Sequence, residues 1–541
     1  MAIYSSLSKS PVIHMAEEKK SRLYKLKPIT DRLPAVKKPE GHVHFRTKML
    51  WVIVILVFYF VMTNVFIYGL DKAGSLDIFA QYRAILAGAQ GSLMHLGIGP
   101  IVTASIIMQL FVGAKIIKLD LTDTDDKAVY QSTQKFLVII MILVEAVPQV
   151  FGYLKPSGAF TTGLGTVFGQ SGLINGTSMA ELIIIIQLFV GSYLVFLMDE
   201  VVSKWGIGSG ISLFIAAGVA EAIFTGTVNW VPYTAGSPLS LTNPPVGTIP
   251  KTLYILHASS ASSLASGGYE RILLQNPNPV IALVGTIVIF MFVSYIESTR
   301  IELPLAHGTS RGARGRYPIK LIYASNIPVI LMAAVLANVS MFSLLLWNSD
   351  VLRHIPLIGG QWWLGFFASG STTPSGGIAW YLSTPRGVGD WLLPILSPDR
   401  YGNLALGHST WQVGAHVAIF FGAMVLGSIL FAKFWIQTTN MGPEAVARQI
   451  ESSGLQIPGF RRDPRVLKRV LERYIPIVTV ISGATVGALA AGADLIGTVG
   501  NASGTGVLLS VGIMIQFYEA ISREQMMEMH PVLRGFFGGG D

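Results

Sequence analysis

Residues 49–70 read MLWVIVILVFYFVMTNVFIYGL, and no charged side chain interrupts them. At 1.5 Å of rise per residue, about twenty helical residues cross the ~30 Å hydrocarbon layer of a bilayer. Nine further apolar stretches of similar kind follow, at 96–114, 136–154, 182–198, 206–228, 279–296, 321–348, 411–432, 474–493 and 496–518. The pattern predicts an all-α polytopic membrane protein with ten transmembrane helices. Only DEVVSKWG (199–206) joins the fourth stretch to the fifth. Composition agrees: 51% of residues are hydrophobic and 13% charged, where a soluble chain has about a quarter charged.

Ten crossings put both termini on one side. The N-terminal 48 residues, the 297–320 loop and the 437–473 loop then share a compartment, and all three are rich in Lys and Arg. The opposite loop at 229–278 has only Lys251 and Arg271. Basic loops stay inside, so this asymmetry places both termini in the cytoplasm. The net charge of +9 is absorbed by those loops, and a sequence-specific nucleic-acid binder is not the expected class. There is no cysteine, which excludes disulfides and thiolate metal sites. No cofactor or metal is expected. Trp362, Trp363, Trp380 and Trp391 in the outer loops suit either a membrane interface or ordinary loop packing, and Asn175-Gly-Thr177 matches a glycosylation acceptor in an outer loop.

Few ionisable groups fall inside the stretches. Glu145 is the clearest, with Glu221 toward the end of the fifth and His416 in the eighth. A mid-span acid costs about 2.5–3.5 kcal/mol to insert, so it faces protein or water. Glu145 reads as a polar contact between helices or as an ion-coupling group. The glycine clusters GIGP (97–100), GIGSGIS (206–212) and GNASGTGV (500–507) lack the strand and the P-loop lysine that nucleotide binding needs. They read as close helix packing or as helix starts meeting on a shared axis. Residues 71–95, DKAGSLDIFAQYRAILAGAQGSLMH, are too polar to span and too apolar for a plain loop. A short amphipathic helix at 77–87, folding back rather than crossing, is expected.

These pieces together resemble the SecY family, channel subunits of the protein-conducting translocon, in its archaeal form. The resemblance is carried by LGIGPIVTASIIMQLFVGAKII (96–117), DEVVSKWGIGSGISLFIAAGV (199–219), RIELPLAHG (300–308), GRYPIKLIYASNIPVIL (315–331), GGIAWYLSTP (376–385) and GTGVLLSVGIMIQFYE (504–519). It runs from residue 45 onward and is weakest in the N-terminal extension and the 229–278 loop. It implies two inverted five-helix halves around a central pore. An N-terminal half at 49–228 and a C-terminal half at 279–522 are joined by an external hinge loop at 229–278. A basic cytoplasmic segment at 1–48 precedes them, and a cytoplasmic tail follows at 523–541.

The resemblance also assigns roles. Ile98, Val102, Ile207, Ile211, Ile330 and Leu509 match an aliphatic ring that narrows the pore. The segment at 71–95 becomes a plug, with Ile78, Phe79, Tyr82, Arg83, Ile85 and Leu86 in its helix and Gln90 as a further anchor. Thr103, Glu145 and Asn338 match the polar cluster of a lateral gate between spans two and three and spans seven and eight, which supersedes ion coupling for Glu145. Arg311 and Arg461 match positions that contact the ribosome, with Arg314 and Arg462 beside them. The implied partners are small SecE-type (gamma) and Sec-beta-type membrane subunits, the ribosome including its rRNA, signal sequences and nascent chains, and the lipid bilayer. The implied activity is passive, non-enzymatic movement of unfolded chains across the cytoplasmic membrane and of their helices into lipid. A secondary solute transporter is the rival reading; it needs hydrated, polar ligands at the midplane.

Overall fold

The computed structural model describes residues 22–25, 27–30, 32–71, 83–117, 119, 121, 123–169, 175–234, 236–307, 314–320, 326–348, 352–354, 359–368, 371–405, 407–439, 441–452, 455–456 and 464–529. Ten apolar helices dominate: α1 (Phe45–Asn64), α2 (Gly99–Gly113), α3 (Thr124–Gly152), α4 (Gly176–Trp205), α5 (Gly210–Val228), α6 (Val280–Ser298), α7 (Ile327–Asn348), α8 (Thr410–Thr438), α9 (Pro464–Ile496) and α10 (Gly504–Met529). Among the described residues nine are long and apolar enough to cross a membrane; α2, with 15 residues, is shorter.

Local chemistry sets several ends. Asn175 Oδ1 accepts from Ser178 N at 2.8 Å, capping α4. Ser409 and Gln412 form a reciprocal capping box at the start of α8. Pro100 occupies the first turn of α2, where its missing N–H costs nothing. The first apolar stretch continues to Leu70, yet α1 stops at Asn64. Beyond it the backbone bonds elsewhere: Leu93 N donates to Val65 O at 2.9 Å and Ile67 N to Gly91 O at 2.8 Å.

The helix contacts contain an internal repeat. In the first half α1 touches α4 and α5, α2 touches α3, α3 touches α4, and α4 touches α5. Adding five to every number gives α6 with α9 and α10, α7 with α8, α8 with α9, and α9 with α10, and all of these also touch. A half with five crossings ends on the face opposite its start, so the second copy runs inverted through the bilayer. The halves meet along two seams. One joins α5 to α10, and the other brings α2 and α3 against α7 and α8 through the pairs α2–α7, α2–α8 and α3–α7.

The loop after α6 forms an antiparallel ribbon of β1 (Arg300–His307) and β2 (Arg314–Lys320), unforeseen from the sequence. Pro304 and Pro318 in that stretch argue against strand, but a two-stranded ribbon leaves each strand an edge that needs no N–H donor. A short β3 (Leu455–Gln456) joins it, pairing Ala306 with Gln456 and His307 with Leu455. Both basic loops are therefore tied into one sheet.

Candidate functional site: ring, plug and gate

The six aliphatic residues of the expected ring all lie inside the bundle. Ile98 and Leu509 are 0% exposed, Val102 and Ile207 4%, and Ile330 8%; all five belong to the main apolar core, and Ile211 packs against it. This separates them from equally apolar residues that face outward, such as Met291 at 68% on α6 and Val57 at 59% on α1. Hydropathy alone does not distinguish the two sets.

The described part of the plug segment folds back as expected. Of the stretch at 77–87, one turn at Arg83–Leu86 is helical; Ile78, Phe79 and Tyr82 lie outside the described residues. The turn touches α5, α7 and α10, so it is wedged between the two halves. Ile85, Leu86 and Ala87 are buried, and Tyr59 on α1 donates its hydroxyl to Ala87 O at 3.3 Å. The segment is pinned directly to Ile98, one of the expected ring residues, because Ile98 N donates to Leu86 O at 2.8 Å. The approach needs glycine at position 97: Gly97 has φ +56°, and a Cβ there would stand 2.1 Å from Leu86 O. Below the turn, His95 Nδ1 accepts from Gly91 N at 3.0 Å.

Two spaces flank the plug. A cavity of about 10 Å³ lies beside Ile85, lined also by Ala333, Leu336, Met424 and Thr505, which is at the limit for a single water. A vestibule of about 890 Å³ lies beyond, bordered by the ends of α5 and α9, the start of α6 and the 384–404 loop. Thr384, Asp494 and Ser503 line both spaces.

The three polar residues of the expected gate meet at the α2/α3–α7/α8 seam. Asn338 Nδ2 on α7 donates to Thr103 Oγ1 on α2 at 3.1 Å. Thr103 Oγ1 lies 2.9 Å from both Glu145 Oε1 on α3 and Gly99 O. Glu145 is 3% exposed and leans over the first turn of α2, where a Cβ on Gly99 would be 3.0 Å from its Oε2. One turn along α3 the seam has a second tie that sequence reasoning missed: Gln149 Nε2 lies 3.5 Å from Met341 Sδ on α7. The available signal was spacing, since Gln149 is i+4 from Glu145 and shares its face. Further along, Gly152 admits Leu345, whose Cδ2 would lie 2.6 Å from a Cβ at that position.

The other singled-out residues are structural or peripheral. His416 is buried and its Nε2 lies 2.9 Å from Ser383 O, beside the Trp380 ring at 4.4 Å. Glu221 is on an exposed face of α5. Among the tryptophans, Trp362 and Trp363 are exposed, Trp380 is buried, and Trp391 Nε1 donates to Leu495 O at 2.9 Å. Arg311, Arg461 and Arg462 lie outside the described residues, while Arg314 opens β2.

Comparison with known proteins agrees with this architecture. The family profile described as SecY matches residues 92–518, and one described as the plug domain of Sec61p matches residues 57–91. The protein translocase subunit SecY of Archaeoglobus fulgidus is 45% identical over 517 residues, covering 95% of this chain and 98% of its own. A solved structure described as a protein conducting channel superposes with a TM-score of 0.73 at 37% identity, covering 94% of this chain and 99% of that one. Sec61 in the canine ribosome-channel complex from the endoplasmic reticulum gives 0.70, also at 37% identity and with the same coverage. With matches of this length and identity, the chain belongs to the SecY family.

Proposed function

We propose that this chain is the pore-forming subunit of a passive protein-conducting channel, and that its ring, plug and seam are the working parts. The observation that carries the reading is the plug turn Arg83–Leu86, held against helices of both halves and bonded to Ile98 of the ring. A narrow aliphatic waist resists wetting, so water and ions do not leak. It offers no fixed charge or donor, and so prefers no particular peptide sequence. Branched side chains part for an extended chain and close around it. Lateral exit of an apolar signal helix through the α2/α3–α7/α8 seam is driven by burial of its apolar surface in lipid. Glu145, the residue that an ion-coupled carrier would use, is instead bonded within that seam.

The driving force comes from outside the chain, from a translating ribosome or another motor. Small SecE-type and Sec-beta-type subunits complete the complex in the cytoplasmic membrane, with both termini cytoplasmic. The two basic loops that share one sheet suit phosphate-rich rRNA, through Arg311, Arg314, Arg461 and Arg462. That contact weakens steeply with salt, and ribosome binding insensitive to salt would count against it. The pore itself is tested by replacing Ile98, Ile207 and Ile330 together with Gly. The purified complex in planar bilayers then shows raised resting ion conductance; native currents from the folded variant would refute the ring.

A further inference from the structure

The repeat in helix packing has a counterpart in chemistry. Near the end of α4, Asp199 Oδ1 accepts from Ile211 N, in the first turn of α5, at 2.9 Å. Near the end of α9, Asp494 Oδ1 accepts from Thr505 N, in the first turn of α10, at 3.0 Å. A second bond joins the latter pair, from Thr505 Oγ1 to Asp494 Oδ2 at 2.6 Å. α4 and α5 correspond to α9 and α10 in the repeat, and the bonded residues are 12 and 11 positions apart. In each half a Ser-Gly pair, Ser209-Gly210 or Ser503-Gly504, starts the second helix. Both glycines are pressed onto the preceding helix: a Cβ on Gly210 would stand 2.6 Å from Asp199 Cα, and one on Gly504 2.3 Å from Asp494 N.

From these equivalent contacts we infer that Asp199 and Asp494 are positioning residues for the pore ring, one for each half. This role rests on the channel reading above and on what the two capped helices carry. Ile211, a ring residue, is itself the donor to Asp199, and Ile207 lies in the short link that precedes α5. Leu509 is i+4 from Thr505 and so lies on the same helix face, one turn beyond the bonded residue. α5 and α10 are also the helices that meet across the seam between the halves. Each carboxylate takes a backbone N–H of a helix start that has no intrahelical partner, and fixes where that helix begins against its predecessor. The depth and rotation of the ring side chains follow from that starting point. Two equal anchors, placed by the repeat, hold the two sides of the waist in register.

The test uses the purified complex, with Asp199→Ala and Asp494→Ala made separately, and Asp199→Asn and Asp494→Asn beside them. Resting conductance in planar bilayers is one readout. The second exploits the absence of cysteine: in an Ile211→Cys or Leu509→Cys background, the reaction rate of the introduced thiol with a soluble maleimide reports how firmly the waist is closed. A charged hydrogen bond is worth roughly twice a neutral one. Each Ala variant is therefore expected to raise both readouts about tenfold, and each Asn variant, which keeps one acceptor, about threefold. A purely structural role would lower the thermal midpoint and leave these ratios unmoved. Folded Ala variants with native conductance and thiol reactivity overturn the inference. If an Ala variant does not fold, its Asn counterpart is read by the same rule. An Ile207→Gly control separates the two claims: if it leaks and the Asp variants do not, only the positioning role fails; if it too is silent, the ring itself has failed.

Discussion

Thr103→Val tests the seam with the least disturbance to shape, since it keeps a β-branched side chain and removes one oxygen. That oxygen accepts from Asn338 Nδ2 at 3.1 Å and lies 2.9 Å from Glu145 Oε1. Only the Asn338 bond joins the two halves; the Glu145 contact is within the first half and persists whether the seam is open or closed. An interhelical hydrogen bond in a membrane contributes about 0.6–2 kcal/mol. Losing the one that crosses the seam therefore raises the open-to-closed ratio about three- to thirtyfold. Gly152 with Leu345 still holds the rest of the seam, and the Gln149–Met341 tie, lost in the Met341→Cys background of the assay, is absent equally with and without Thr103→Val, so the variant remains folded and mostly closed. The chain contains no cysteine, and Met341 is 0% exposed on the gate face of α7. In a Met341→Cys background, maleimide reaches the thiol only through the open seam. Its rate follows the open population when opening and closing are fast. The rate is expected to rise three- to thirtyfold with Thr103→Val. A rate within twofold of the Thr103 background, in a folded protein, would refute the seam as a gate held by this bond.

Much of this architecture is legible in the sequence because lipid imposes one rule on every span: length and apolarity. Where a different force decides, sequence reading falters. α1 ends at Asn64 although the chain stays apolar to Leu70, because Val65 and Ile67 exchange backbone bonds with the plug segment. The described part of the plug helix ends at Leu86, where the close approach of Gly97 to Leu86 O brings the chain back on itself. The β1–β2 ribbon escapes because Pro304 and Pro318 lie where only two strands pair, not in a sheet interior. The ring is the hardest case. Ile98 and Ile287 carry the same side chain on apolar helix segments, yet one is 0% exposed and the other 53%; only the path of neighbouring helices separates them. The inverted repeat leaves almost no trace in residue identity, since it preserves which helices touch and not what touches. Asp199 and Asp494, each with a Ser-Gly pair about ten residues further on (Ser209-Gly210 and Ser503-Gly504), are the trace that does survive.

Two further outcomes are expected. Gly97→Ala places a Cβ against Leu86 O at a residue with φ +56°. A left-handed conformation costs a non-glycine residue about 1–2 kcal/mol before the clash with an unyielding carbonyl is counted. The thermal midpoint should fall and resting conductance rise; native values for both would show that the plug is not seated by this contact. The other prediction concerns the 229–278 loop. Lys251 is 1% exposed and its Nζ donates to Gln275 O at 2.5 Å and Pro277 O at 2.9 Å. Burial pushes its pKa down from 10.5 to about 8. Between those values the unfolded chain holds the proton and the folded chain does not, so unfolding takes up a proton and stability rises with pH, by about 1.4 kcal/mol per unit. The neutral amine still has two N–H groups, one for each carbonyl, so deprotonation removes the cost of a buried charge without orphaning an acceptor. From pH 8 to 9.5 the native complex should gain about 2 kcal/mol relative to Lys251→Met, which has nothing to titrate there. Parallel thermal midpoints for the two proteins across that range would mean that Lys251 is charged and solvated, and that the loop is not closed over it.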